Sequence, residues 1–418
     1  MIKTIAHEVA YWTSCLVIAA ALAVFRTVVF LLPVSFLKKV FTAKMEKLGV
    51  LVTNGPKALG FDKNKYTAEM VIHSDAFYKH LGDGPLLHVM GDTYMDGLWT
   101  DFDESKVQEA ILLKAPMRSH PMGPLWEWNH VARNQQTVKL SKRVAEEHYD
   151  LGNDLYAAFL DETMTYTCAY WKPDTRTLKD AQIAKLDLIA RKLKLKPGLK
   201  VLEIGCGFGG AAKYMAENYG VSVVGYNISV EQVKIARERT KGLPIEIRVE
   251  DYRNANEKFD RIFSVGFFEA VGSHNFRAYF EVCDRCLKED GIMLLHTITC
   301  STTRMLRAGG WLNKYIFPGG ELPFTYELVT EADPMFRVED MHNMGDSYAK
   351  TLKVWNDNFN RAWPELKPKY DSYFGGKFKR CWNNYLQVCR ACFDAGSVSL
   401  IQVVYTRDGV KGGYICER

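Results

Sequence analysis

The feature that most constrains this chain is the run Val201-Leu-Glu-Ile-Gly-Cys-Gly-Phe-Gly-Gly210, an apolar strand that breaks into glycines at alternate positions and leads straight into helix-forming sequence. Alternate glycines are useful where backbone must turn left-handed or approach a ligand closely, which is the task of the first strand-to-helix connection in an open parallel sheet. The flanking pattern agrees. Ile183, Leu186, Ala190 and Leu193 fall at helical spacing before a break at Pro197-Gly198. A helix is expected from Gly210 to Tyr219, and strands at Val221 to Tyr226, Ile245 to Val249, Phe259 to Val265 and Ile292 to Thr297. Phe336 to Met341 and Val398 to Tyr405 supply two closing strands, so the expected architecture is a doubly wound, mostly parallel α/β sheet. Ser301 to Asp333 is long enough for an inserted lid.

At 418 residues the chain exceeds one hydrophobic core. A net charge of +5 is too small to argue for nucleic acid, and leans instead toward an anionic surface such as a phospholipid bilayer. The ten cysteines show no CxxC pair, and Cys206, Cys286, Cys300 and Cys392 sit in apolar stretches, so reduced thiols in a cytosolic catalytic part are expected and no metal is. The N-terminal region is the compositional anomaly. Val9 to Leu37 is almost wholly apolar, interrupted by Arg26 and Pro33 and followed by Lys38, Lys39, Lys44 and Lys47. Its length suffices for one membrane helix, with the lysines on the cytoplasmic side. An interfacial anchor, a signal peptide cleaved near Ala21-Leu-Ala23 and a buried helix are the alternatives. The organisation expected is a membrane-associating segment at 1–44, a small α+β accessory domain at 45–125, a linker or basic helix at 126–147 and a catalytic domain at 148–418.

A G-x-G-x-G turn alone also fits dinucleotide-binding domains. Here Glu203 sits inside the strand two residues before Gly205, Gly207 and Gly209 begin, an acid those domains normally lack. The second strand ends at Asn227, where many nucleotide-binding folds place a carboxylate for ribose hydroxyls. Asn can donate and accept, and so can Gln232, although Ser229 with Gln232 also reads as a capping box for a helix at 230–240. Asp251, in Glu250-Asp-Tyr252, is placed to accept from an adenine amino group, with Tyr252 beside it.

From His148 onward the chain resembles the cyclopropane-fatty-acyl-phospholipid synthases and the related mycolic acid cyclopropane synthases. The resemblance rests on His148-Tyr-Asp-Leu-Gly-Asn-Asp-Leu-Tyr156, Tyr166-Thr-Cys-Ala-Tyr-Trp171, the glycine loop, Tyr226 to Gln232, Glu250 to Arg253, Phe267-Phe-Glu-Ala-Val-Gly272, Leu294-Leu-His-Thr297 and Trp311 to Pro318. A weaker match at Met90 to Trp99 extends it into the accessory region. It implies a Rossmann-like class I methyltransferase with a mostly parallel seven-stranded sheet, using S-adenosylmethionine, with Tyr166 and Thr167 holding the methionine part. It implies as substrate the cis double bond of an unsaturated phospholipid acyl chain, on a membrane surface, and allows a homodimer.

An alkene attacks a sulfonium methyl without help from a base, but the carbocation left behind must lose a proton. The resemblance implies that bound bicarbonate takes it, held by Cys168, Glu269, His296 and Tyr348. Singly, Cys168 and Tyr348 read as packing and His296 as a core histidine, whereas an acid at Glu269 after a strand end is costly unless hydrogen-bonded or functional. Ala270 stands where many members carry His. Tyr170, Trp171, Phe267, Phe268, Tyr315 and Phe317 could line an acyl groove or simply pack. The competing readings are a lipid C-methyltransferase giving a methyl or methylene branch or acting on a sphingoid base, an amine N-methyltransferase of the same fold, and a catalytically silent lipid-binding scaffold.

Overall fold

A computed structural model gives the structure of residues 2–55, 62–101, 105–114, 132–140, 151–303, 307 and 310–418, with side chains in the first helix from Trp12 onward, Ser14 apart. Most of the segment 126–147 and the opening His148-Tyr-Asp of the family motif lie outside the described residues. The chain forms two compact units. The first gathers Met1–Arg133, Thr303–Ile316 and Trp363–Ser397, and the second gathers Asn134–Thr302, Phe317–Ala362 and Val398–Arg418. Residues 303–316 and 363–397, read from sequence as catalytic-domain residues, thus cluster with the N-terminal unit, and 134–140 cluster with the second. Gln136 shows why the end of the expected linker is not loose. It is buried, its side chain donates to the Gly319 carbonyl (2.9 Å), and its own carbonyl accepts from Arg253 and Asn275 (3.2 Å each).

The second unit carries a seven-stranded sheet in the order β6-β5-β4-β7-β8-β10-β9. The strands are β4 (Lys200–Ile204), β5 (Ser222–Asn227), β6 (Ile245–Val249), β7 (Phe259–Val265), β8 (Leu287–Cys300), β9 (Arg337–Asn343) and β10 (Val398–Thr406). The pairs from β6 through β8 are parallel, and β10 runs antiparallel to both β8 and β9. Side chains alternate between two apolar faces, as period-two geometry requires. Leu202, Ile204, Val224, Met293 and Leu295 join a core with Phe268, Phe276, Tyr279 and Phe280. Val201, Val223, Phe263, Val265 and Leu294 join another with Leu186, Ile189, Leu193, Ala212 and Met215. Burial on both sides explains why these strands read as continuous apolar runs.

Local signals set the helix boundaries. Helix Leu178–Lys192 starts where Thr177 Oγ1 accepts from the Asp180 amide (3.1 Å) and ends with Arg191 and Lys192 against its negative pole. Helix Gly210–Tyr219 lies between left-handed Gly209 and Gly220. Helix Val230–Arg239 begins with Ser229 Oγ accepting from the Gln232 amide (3.3 Å). Only that half of the expected capping box forms. The Ser229 amide donates instead to Asn227 Oδ1 (3.0 Å), and the Gln232 carbonyl oxygen turns to accept from Asn227 Nδ2 (2.9 Å).

The first unit contains a three-stranded sheet, β1 (Val50–Asn54) parallel to β2 (Ala68–Ile72) and β2 antiparallel to β3 (Trp99–Asp101). Its core includes Met45, Val50, Met70, Phe77, Tyr78, Met90, Trp99 and Ile111. The apolar N-terminal run does not form one continuous helix. It divides into α1 (Ile2–Leu31) and α2 (Val34–Lys47), bent by 110° at Leu32-Pro33. Pro33 lacks an N–H and disfavours helical backbone at the residue before it, so the break falls where the sequence dictates. Among the described residues no single helix is long and apolar enough to cross a membrane, and only the bent pair together reaches that composition. The expectation of one membrane helix running through to Leu37 is corrected accordingly.

Candidate active site

The glycine loop joins β4 to helix Gly210–Tyr219. Gly205, Gly207 and Gly209 have φ of +80°, +51° and +76°, in the region that strains any residue with a Cβ. The three differ in their surroundings. A Cβ at Gly205 would lie 2.5 Å from the Phe267 ring and one at Gly209 would lie 3.1 Å from Ala236, whereas one at Gly207 would meet no protein atom within 4 Å. The loop is pinned by the amides of Gly205 and Cys206, which both donate to the Tyr226 carbonyl (2.9 and 3.1 Å). Its open side is therefore at Gly207, the position a ligand can approach. Asn227 Nδ2 donates to the Gly207 carbonyl (3.2 Å) and to Gln232. Asn227 and Gln232 thus act as one polar unit at the end of β5.

Glu203 is 3% exposed, and burial pushes its carboxyl up to about 8, against the pull of Lys185 and the Ala212 amide. Among the described residues its Oε2 has no hydrogen-bond partner. Asp251, at the end of β6, is 7% exposed and engaged on both oxygens by the Arg253 guanidinium (2.9 and 2.7 Å). A purine amino group there would share an acceptor already ion-paired. Tyr252 packs edge-on against Phe267 (5.3 Å), the ring that fills the space beside Gly205.

The segment 165–171 runs across the carboxyl ends of β4 and β7. Tyr166 sits among Tyr156, Phe159 and Trp355, with ring centroids 5.2 to 5.8 Å away. Thr167 lies against Gly266, where a Cβ would come within 2.7 Å of its methyl group. Lys185 Nζ donates to Thr167 Oγ1 (2.9 Å). Sequence reading passed over this lysine, which is fully buried; burial lowers its ammonium to about 8 despite Cys168, Asp161 and Glu203 nearby. The available signal was a lysine on the apolar stripe that carries Gln182, Leu186 and Ile189, with Lys192 on the same stripe two turns later.

Four elements carry the expected quartet. Cys168 follows Thr167 and is fully buried; its thiol is directed at the Ala169 carbonyl (3.1 Å), and burial raises its pKa. Glu269 stands in the 3₁₀ turn Phe268–Ala270 after β7, with Oε1 accepting from the Ile298 amide (2.7 Å) and Oε2 buried without a partner among the described residues. Desolvation raises its carboxyl to about 7, with the Ile298 amide, its own amide and the Thr297 hydroxyl pulling the other way. His296, in β8, is fully buried, and the Gln402 amide nitrogen lies 3.1 Å from its Nδ1. With Nδ1 accepting, the ring proton is on Nε2, which has no partner among the described residues. Burial, then Lys185, Lys192 and His342, hold this ring well below the usual histidine value, hence neutral.

Tyr348 belongs to the first turn of helix Gly345–Tyr370, between Ser347 and Thr351, and meets Trp355 edge-on (6.1 Å). That turn is tied to the Cys168 segment. Thr351 Oγ1 accepts from the Ala169 amide (3.2 Å) and the Trp171 indole (3.0 Å), and Ser347 Oγ accepts from the Trp171 amide (3.2 Å). The Gly266 amide donates to the His296 carbonyl (2.9 Å), which joins β8 to the turn leading to Glu269. All four residues belong to the second unit: these bonds tie Cys168 to the Tyr348 helix and the Glu269 turn to β8, and the Thr167–Gly266 contact adjoins the two pairs. The aromatic groove fares differently. Phe268 is fully buried and stacked on Phe276 (4.5 Å), a core residue, and Tyr315 packs with Trp311 and Phe374 in the first unit.

A family model described as mycolic acid cyclopropane synthetase matches residues 136–403. The cyclopropane-fatty-acyl-phospholipid synthase of Escherichia coli K12 is 45% identical over 347 residues, covering 82% of this chain and 88% of that protein. Among solved structures, a cyclopropane synthase from Mycobacterium tuberculosis is 30% identical with a TM-score of 0.58, covering 63% of this chain and 97% of its own. A mycolic acid cyclopropane synthase complexed with SAH and CTAB gives 31% and 0.58, with the same coverage. Coclaurine N-methyltransferase, at 19% identity and a TM-score of 0.60 over 76% of this chain and 98% of its own, shares the fold.

Proposed function

The chain belongs to the mycolic acid cyclopropane synthetase family, and from that premise we propose that it adds the methyl carbon of S-adenosylmethionine across the cis double bond of an unsaturated phospholipid acyl chain. Family and fold together make it an S-adenosylmethionine-dependent methyltransferase of the cyclopropane-fatty-acyl-phospholipid synthase kind. The observation that carries the finer reading is the pair of buried polar atoms without partners among the described residues, Glu269 Oε2 in the turn after β7 and His296 Nε2 within β8, where β8 runs level with the carboxyl end of β7.

In this reading the glycine loop and Asn227 receive the nucleoside, while Tyr166 and Thr167 hold the methionine part. The alkene carbon takes the sulfonium methyl, the carbon–sulfur bond breaks with its electrons left on sulfur, and a carbocation remains on the acyl chain. Loss of one proton from the added methyl group closes the ring, for a net gain of CH2. His296 supplies a neutral N–H donor, and Glu269, raised to about 7, is able to hold or release a proton near neutral pH. These two fit a small oxyanion, with Cys168 and Tyr348 as further donors. Bicarbonate bound there would supply the base for the methyl proton. Each of these groups is costly to bury unless a bound ligand completes it.

The reading is tested by expressing the chain in cells rich in cis-unsaturated phospholipids and analysing their fatty acids. A product heavier by CH2, with olefinic proton signals replaced by upfield ring signals, is expected. Products carrying a methyl or methylene branch in place of a ring would overturn ring closure and leave the transferase.

A further inference from the structure

Within the first unit, the elbow between α1 and α2 exposes what a surface facing only water would hide. Leu16, Val24, Phe30 and Leu31 are each at least 65% exposed, and Phe36 and Val40 on α2 are 50% and 51% exposed. Of the described α1 side chains only Ile18 and Val29 are buried. A helix apolar on nearly every side, touching its own unit along one narrow stripe, calls for an apolar medium around it.

Polar contacts fix the depth at which water must reach it. Arg26 Nε pairs with Asp83 Oδ1 at 2.9 Å, and Lys79 Nζ donates to the carbonyls of Phe30 and Leu32, both at 2.7 Å. Residues 26–32 are thereby held at a polar level. The apolar stretch on the other side of Arg26, Val9 to Phe25 inclusive, is 17 residues long and is preceded by His7 and Glu8. At 1.5 Å per residue it measures about 26 Å, short of a hydrocarbon core of about 30 Å. Past the 110° bend, α2 turns Leu37, Phe41 and Met45 inward at four-residue spacing. Phe36, Val40 and Lys47 fall together on another side, roughly 120° round the helix at 3.6 residues per turn, with exposed Lys39 and Lys44 flanking it. An apolar ridge bordered by lysines matches acyl chains lying under a layer of phosphates.

We infer that the α1–α2 elbow is a monotopic docking surface for an anionic phospholipid bilayer, with α1 entering one leaflet and α2 lying along the headgroups, and that the chain does not cross. The inference rests on the lipid-acyl reading above for its purpose, but its test needs no turnover. The full chain is floated, without cofactor, with vesicles of equal parts dimyristoylphosphatidylcholine and dimyristoylphosphatidylglycerol, which contain no double bond to react. Wild type is expected to float. Leu16→Ser with Val24→Ser, and separately Lys39→Glu with Lys44→Glu and Lys47→Glu, are each expected to weaken vesicle binding about tenfold or more. Both variants should keep wild-type turnover on lipid dispersed in nonionic detergent, which establishes that they fold.

A wild-type chain that stays unbound, or variants that float like it, would overturn the inference. So would cleavage before Val9 by a protease sealed inside the vesicles, which indicates a full span. A lipid-free dimer that Leu16→Ser with Val24→Ser disperses would make a second copy the occupant and overturn it too. Flotation with the expected losses but no cyclopropane product in detergent supports the docking surface while sinking the acyl-chain reading.

Discussion

Substituting alanine at Gly205 and at Gly207 separates what the loop does for the fold from what it does for the cofactor. Both glycines have positive φ, so each alanine costs about 1–2 kcal/mol in backbone strain. At Gly205 the new methyl also comes to 2.5 Å from Phe267, a ring wedged against Tyr252 (5.3 Å) and thus unable to yield freely. Overpacking of that kind adds about 1–3 kcal/mol. Gly205→Ala should therefore destabilise the second unit by about 2–5 kcal/mol and Gly207→Ala by only about 1–2 kcal/mol. Cofactor binding should rank the other way relative to stability, because the Gly207 methyl meets no protein atom within 4 Å and projects into the space offered to the ligand. Denaturant unfolding gives the first comparison and isothermal titration with S-adenosylhomocysteine gives the second. Wild-type affinity in a folded Gly207→Ala protein would refute the placement of the cofactor over this loop, and equal stability losses would refute the role assigned to Phe267.

Glu269→Gln should reduce turnover about a hundredfold or more while leaving cofactor affinity within about twofold, as removal of a proton-handling group does; collapse of binding instead would reassign that residue. The same change bears on stability against pH. Since the folded carboxyl is raised to about 7 from 4.5, its protonation favours the fold at acid pH, and that contribution is lost as pH rises between those values. Unfolding curves measured from pH 4.5 to 7 should accordingly fall less steeply for Glu269→Gln than for wild type. Lys185→Met removes the ammonium that donates to Thr167 and pulls on the Glu203 carboxyl, and is expected to cost about 1–3 kcal/mol through the buried hydroxyl left without its donor. Because Glu203 is held at about 8 and is mostly protonated at neutral pH, adding Glu203→Gln to Lys185→Met should change stability little at about pH 7 in the same unfolding assay; a large recovery would show that Glu203 is ionised in the fold. Phe268→Ala should act through stability alone, by about 3–5 kcal/mol, with normal substrate affinity in the folded fraction, because the ring belongs to the core.

The legible part of this protein was the part encoded by short-range rules. Alternating βα spacing, Pro197-Gly198, the Thr177 and Ser229 caps and the three loop glycines act within a few residues of themselves, so the strands and helices bordering the cofactor loop fell within a residue or two of expectation. β8 was the exception, beginning at Leu287 where Ile292 was expected, because its first residues pair with Phe259 beyond a register shift that no local pattern announces. Pro33 likewise signalled a break, yet the apolar run around it outweighed that signal in the reading of one helix. Family spacing named Cys168, Glu269, His296 and Tyr348, but could not say what each side chain faces.

That second question belonged to tertiary structure. Whether Glu269 is an unpaired surface acid or a desolvated carboxyl with one free oxygen depends on the Ile298 amide, 29 residues away in the chain. The neutral state of His296 depends on its burial and then on the charges of Lys185 and Lys192, its tautomer depends on Gln402, and the burial of Lys185 depends on where helix Leu178–Lys192 meets Thr167. Phe268 became core and Asn227 became the partner of Gln232 for the same reason. Glycine turns, caps and hydrophobic periods are properties of neighbouring residues and can be read along the chain, whereas desolvation, pairing and protonation are set by atoms that only folding brings within a few ångströms.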